Sequence, residues 1–145
     1  YLGALAGALS RVGCERALVV SGYSGMDELS VAGPSQVVEV SRGVVGEPYT
    51  IRPEDYGLSL HEQAAVAGGD CEENAAITRR VLGGEAGACR DVVLLNAAAA
   101  LFVAGVAVSI SDGMRRAAES IDSGRAAETL DDMVAVTNEL AACRA

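Results

Sequence analysis

The sequence predicts an α/β domain, helix-rich with a few strands. A helical pattern, a glycine, a short apolar strand and a glycine-containing loop follow one another over residues 2–35, which is the order of an α/β unit. From about residue 70 onward the apolar spacing is helical throughout. The 145 residues are 50% hydrophobic with 17 Gly, no Trp and one Phe, so the core is aliphatic and suits closely packed helices better than an aromatic-rich β-sandwich.

In "LGALAGALSRV" (2–12), Leu2, Leu5, Leu9 and Val12 share a helical face, and Gly13 suits the position after the helix end. "RALVV" (16–20) predicts a strand apolar enough to be a buried parallel one. "SGYSGMDELSVAGPS" (21–35) is then a loop at the C-terminal end of that strand, where ligands collect in α/β sheets. Two β-rich runs, "SQVVEVSRG" and "EPYTIRPED", predict a hairpin or β-pair with Gly43 and Gly46 supplying the turn, and Pro53 opens a short helical turn.

"DCEENAAITRRVLGG" has the form of a capped helix. Asp70 and Glu73 make the capping box, Ile77, Val81 and Leu82 the buried face, and Gly83-Gly84 the stop. An apolar helix begins near Asp91. A third, near 112–123, buries Met114, Ala117, Ala118 and Ile121 and stops at Gly124, and the last, from 126 to 142, uses Leu130, Met133, Val134 and Leu140. No internal repeat or low-complexity linker divides the chain, so one unit spans 1–145.

Several function classes are disfavoured. The net charge is −9, and the 11 basic residues are all Arg and scattered, so the basic patch of a nucleic-acid binder is missing. The Arg pairs at 79–80 and 115–116 read as solvated helix faces. Cys14, Cys71, Cys89 and Cys143 contain no C-x-x-C pair, and His61 is the one His, which argues against a zinc site. Cys71, near a helix start, reads as an ordinary reduced thiol. No signal-peptide pattern opens the chain, and a cytoplasmic location is expected. Residues 92–110 have only Asn96 and Ser109 as polar members, but their Ala and Gly content and the lack of aromatic or basic flanks favour a buried core helix over a membrane span. There is no P-loop, no G-x-G-x-x-G after a strand, and no nucleophile elbow within reach of His61, which reads as a surface His. "GGD" at 68–70 reads as a turn and N-cap.

The loop offers one chemical possibility. Asp27 and Glu28 are adjacent acids beside Gly22 and Gly25. Mg²⁺ takes oxygen ligands, keeps several waters, and is typically held by one or two carboxylates plus substrate phosphates. An acid pair can equally cap a helix N-terminus. From these residues alone both readings stand, and Tyr23 beside them is either a ligand contact or a packing residue.

Three blocks carry a family resemblance: "VVSGYSGMDELS", "GGDCEENAAITRRVLGGEAGACRDVVLLNAAAALFVAG" and "SISDGMRRAAESIDSGRA". In content, order and spacing the chain resembles the C-terminal half of anthranilate phosphoribosyltransferase, from Tyr1 to about Leu140. The resemblance implies the C-terminal part of a phosphoribosyltransferase/nucleoside phosphorylase-like α/β domain. It implies an enzyme that moves a phosphoribosyl group from phosphoribosyl pyrophosphate (PRPP) to the amine of anthranilate, releasing pyrophosphate, in tryptophan biosynthesis. It also implies a Mg²⁺-dependent homodimer, with Asp27 and Glu28 matching the acid pair that holds the metal.

The departures are equally informative. The family's "GTGGD"-like phosphate loop, its "KHGN"-like stretch and the Arg that meets the anthranilate carboxylate have no counterpart here, and Ser21 stands where a His is frequent. We therefore expect a partial domain, without the small helical domain that makes the dimer contact, and inactive alone. A pyrimidine nucleoside phosphorylase would not need the acid pair, and a non-catalytic nucleic-acid-binding relative would not carry this negative charge.

Overall fold

The computed structural model describes residues 1–143. Its elements are α1 (Leu2–Arg11), β1 (Arg16–Ser21), β2 (Ser35–Ser41), β3 (Val44–Val45), β4 (Tyr49–Ile51), α2 (Cys71–Leu82), α3 (Ala88–Val103), α4 (Ile110–Asp122) and α5 (Arg125–Ala142), with short 3-10 turns at Tyr23–Gly25, Pro53–Tyr56 and Gln63–Val66. The α/β class is as the sequence predicts.

Strand alternation builds the layers. Val19, Val38 and Val40 point to one side of the sheet and bury against Ala6 of α1. Val37 and Ile51 point to the other, where Leu95, Ala98 and Ala99 of α3 cover them together with Leu29, Val31 and Ile110. A third cluster, Val81, Leu94, Ala117 and Ile121, joins α2, α3 and α4 outside this sandwich. α4 approaches α3 closely because Gly113 has no side chain: a Cβ there would lie 2.5 Å from the carbonyl oxygen of Ala98. At the far end of α3, Arg16 of β1 stacks 3.7 Å from the centre of the Phe102 ring, donates to the Phe102 carbonyl at 3.2 Å, and pairs with Glu39 at 3.1 Å.

Five sequence expectations need correction. β1 runs antiparallel to β2, with Val19 opposite Val38. Its apolar run reports burial on both faces, by α1 and α3, and apolarity carries no information about direction. Among the described residues, its other edge has no partner strand.

The hairpin turn is Arg42-Gly43, both with positive φ (50° and 76°), the conformation of a tight primed turn. Gly46 lies beyond it and donates to Glu39 O at 2.8 Å, and residues 46–48 separate β3 from β4, which both pair with β2.

α3 starts at Ala88, three residues before the expected Asp91, and the apolar run 92–110 is not one helix. It leaves α3 at Val103 and reaches α4 at Ile110, where the Ser109 hydroxyl accepts from the Asp112 N–H at 3.1 Å. No helix among the described residues is long and apolar enough to cross a membrane.

His61 is not a free surface residue: its Nε2 lies 2.7 Å from Asp91 Oδ2, and both side chains are largely covered. Finally, α5 forms but buries none of its residues. Leu130 is half-buried, whereas Met133, Val134 and Leu140 are 57%, 37% and 59% exposed. Helical periodicity identifies an apolar face, and α4 and α2 meet this helix without covering that face.

α2 is as expected: Asp70 accepts from the Glu73 N–H at 2.9 Å, and the Glu73 carboxylate accepts from the Asp70 N–H at 3.2 Å. Its Arg79 and Arg80 are solvent-exposed and paired with Asp131 and Glu85.

Candidate functional site

The loop that joins β1 to β2 leaves the sheet at Ser21 and returns at Ser35. Gly22 opens it. The Gly22 N–H donates to Met26 O at 2.8 Å, closing a compact turn, and a Cβ on Gly22 would collide with the carbonyl oxygen of Glu28. Tyr23 packs on Gly33, whose own Cβ would lie 2.6 Å from the Tyr23 ring. Tyr23 thus has a packing role, with 48% of its surface still exposed.

Beyond the acid pair the loop turns inward. Leu29, Ser30 and Val31 are buried, and their backbone is tied down on several sides. Asn96 of α3 accepts from the Leu29 N–H at 2.9 Å and donates to the Leu29 carbonyl at 2.8 Å. The Ser30 N–H donates to the Ser35 hydroxyl at 2.9 Å, and the Ser30 hydroxyl accepts from the Ala32 N–H at 3.0 Å. The Val31 carbonyl accepts from the His61 N–H at 3.0 Å. Buried backbone groups that leave regular structure need such partners.

Asp27 and Glu28 project from this anchored segment and are both exposed. No helix follows them, since the next element is β2, so the capping alternative falls. Neither carboxylate takes part in an ion pair among the described residues, and there no third His, Cys, Asp or Glu joins them. Asp27 lines an open cleft of about 400 Å³ with Ser21, Gly25, Met26 and Gln36, between β1, β2 and the start of α1. Glu28 does not line that cleft; adjacent carboxylates with no nitrogen or sulfur donor beside them are the ligand type of a hard cation that completes its shell with water and a ligand's oxygens.

Other charged groups lie elsewhere. Asp112 is held by Arg116 and Arg115, whose hydrogen bonds lower its pKa to about 2. The four cysteines are free, and Cys71 is exposed at the first turn of α2.

Comparison with known proteins decides the family. The family described as "Glycosyl transferase family, a/b domain" matches residues 1–127. The chain belongs to that glycosyl transferase family. Within it, the chain is 51% identical over 142 residues to an anthranilate phosphoribosyltransferase of Rubrobacter xylanophilus, covering 97% of this chain and 41% of the relative. Its fold is similar to the crystal structure of anthranilate phosphoribosyltransferase from Thermus thermophilus, with a TM-score of 0.83 and 42% identity over 92% of this chain and 39% of that one. The Saccharomyces cerevisiae enzyme, solved in complex with PRPP and Mg, is similar with a TM-score of 0.71 and 27% identity, covering 81% and 34%. The chain thus spans about two fifths or less of the length of these members of the glycosyl transferase family. The three sequence blocks resemble the same enzyme as these relatives, rather than a phosphorylase or a nucleic-acid binder.

Sequence reasoning missed Asn96 as part of the loop's support. It stood out only as a polar exception in an apolar run. A part-buried Asn among apolar neighbours must spend its amide on a partner, and that rule marks it as a residue that holds something.

Proposed function

We propose that this chain is part of an anthranilate phosphoribosyltransferase whose Asp27 and Glu28 hold Mg²⁺ against the pyrophosphate of PRPP. The observation that carries the reading is the acid pair: two exposed carboxylates, without competing ion pairs, on a loop fixed at the end of β1. In the reaction the anthranilate amine forms a bond to C1′ of the ribose, the bond from C1′ to the pyrophosphate oxygen breaks, and the amine loses a proton. When bound, Mg²⁺ neutralises negative charge on the departing pyrophosphate.

This chain's residues contribute one wall of the site. Asp27 and Glu28 supply anionic oxygens, and Gly22 keeps the turn beneath them compact. Phosphate cradling and anthranilate recognition are assigned to segments outside residues 1–145, as is the small helical domain through which the complete enzyme forms a homodimer. The complete enzyme works in the cytoplasm, in tryptophan biosynthesis.

The test is formation of phosphoribosyl anthranilate from PRPP and anthranilate. The complete protein is expected to turn over with Mg²⁺, and Asp27→Ala with Glu28→Ala to weaken the Mg²⁺-dependent rate. The 145-residue chain alone is expected to be inactive, because positioning both substrates accounts for much of the rate. Full turnover by the 145-residue chain, or an unchanged Mg²⁺ dependence in the double variant, would contradict the reading.

A further inference from the structure

We infer that Asn96 is the positioning residue for the acid pair: it sets the affinity of Asp27 and Glu28 for a divalent cation without touching the cation. The inference rests on the metal role proposed for those two carboxylates.

One side-chain amide occupies both hydrogen-bonding groups of Leu29, the residue that follows Glu28. Its oxygen accepts from the Leu29 N–H at 2.9 Å and its nitrogen donates to the Leu29 carbonyl at 2.8 Å. That nitrogen also donates to Val92 O at 2.9 Å, one turn back on α3, which fixes the amide's own orientation. The Leu29 N–H belongs to the Glu28–Leu29 peptide and the Leu29 carbonyl to the Leu29–Ser30 peptide, so the one amide holds both peptides that flank Leu29 and restricts rotation of each. The first of these peptides follows Glu28 directly, so holding it restricts the direction in which Glu28 leaves the backbone.

The surroundings reinforce the grip. Leu29 is fully buried in the cluster shared by the sheet and α3, so the peptide cannot swing outward. Asn96 sits between Leu95 and Ala98, which are themselves fully buried, so its backbone is fixed by the core. The acid pair has no polar partner of its own among the described residues, so its geometry derives from what lies behind it. Residues that orient ligands from behind typically change metal affinity by about 10–100-fold when removed.

Mn²⁺ binding to the complete protein, followed by water-proton relaxation with Mn²⁺ alone, tests this without relying on catalysis. Asn96→Leu preserves size and removes all three of the amide's hydrogen bonds, and its Mn²⁺ Kd is expected to rise about 10-fold or more. Asn96→Asp keeps the volume and the bond from the Leu29 N–H but loses the bonds to the Leu29 and Val92 carbonyls, and a smaller rise is expected. It also serves if Asn96→Leu fails to fold. Ile121→Ala, in the separate α2–α3–α4 cluster, lowers stability by opening a cavity away from the loop and is expected to leave the Kd unchanged.

If both Asn96 variants bind Mn²⁺ as Ile121→Ala does, while Asp27→Ala with Glu28→Ala loses binding, the inference about Asn96 is wrong and the metal role of the pair stands. If the double acid variant binds Mn²⁺ like the parent, the metal role itself is wrong.

Discussion

The acid loop and helix α5 make opposite use of the chain. The loop has no regular structure beyond one short turn, yet Leu29, Ser30 and Val31 are buried and the backbone around them is bonded to Asn96, Ser35 and His61. α5 is an 18-residue helix with satisfied internal hydrogen bonds and no buried residue. Regularity and fixity are therefore separate properties. A segment is held where its side chains are buried and its backbone bonds reach other elements, and helical geometry alone supplies neither. A loop anchored in this way can present side chains as firmly as a packed helix does.

The contrast can be broken by substitution. Leu29→Ala in the 145-residue chain is expected to cost about 2–5 kcal/mol, the range for truncating a buried Leu, measured by urea unfolding. Met133→Ala and Leu140→Ala, measured at concentrations where the chain is monomeric, are each expected to change stability by about 0.5 kcal/mol or less, since both side chains are more than half exposed. Equal costs at the two regions would end the distinction.

Gly22→Ala probes the loop at its tightest point. The new methyl would press on the Glu28 carbonyl, and a loss of about 1–3 kcal/mol is expected, as for overpacking of a closely fitted site. A neutral result would show that the turn has room to relax.

The exposed face of α5 gives a milder prediction. Met133, Val136 and Leu140 present apolar surface at helical spacing, and such surface favours association. The 145-residue chain is expected to sediment heavier than its 14.7 kDa monomer, and replacing these three residues by Ser is expected to shift it toward monomer. A parent chain that is already a well-behaved monomer would contradict this.

The smallest effect concerns pH. Asp112 titrates at about 2 instead of 3.8 because Arg116 and Arg115 favour its charged form. A lowered carboxyl pKa in the folded state means that its stabilising contribution is present above about pH 4 and is lost as pH falls toward 2. The melting-temperature difference between the parent and Asp112→Asn is expected to shrink across that interval. A difference independent of pH would argue against the ion pairs as its source.

The sequence disclosed these two regions unequally. Helix existence was readable from apolar spacing and caps: Asp70, Glu73 and the Gly83-Gly84 stop all fall where α2 needs them. What covers each face was not readable, because Leu130, Met133, Val134 and Leu140 have the spacing of a buried stripe whether or not a partner is present. Strand direction was hidden for a similar reason, since burial on both faces produces the same apolar run in either orientation. The acid pair was visible as composition, but its support depends on Asn96, 67 residues further on, and contacts of that separation leave no local pattern.

The central claim is that Asp27 and Glu28 hold the metal that meets the pyrophosphate. Crystals of the complete protein grown with PRPP and Mn²⁺, with diffraction recorded to locate the Mn²⁺ by its anomalous signal, test it most directly. The expected result is an anomalous peak within coordinating distance of an Asp27 or Glu28 carboxylate oxygen and of a pyrophosphate oxygen. A metal bound to the pyrophosphate with both carboxylates turned away from it, or no metal at this loop, would contradict the account.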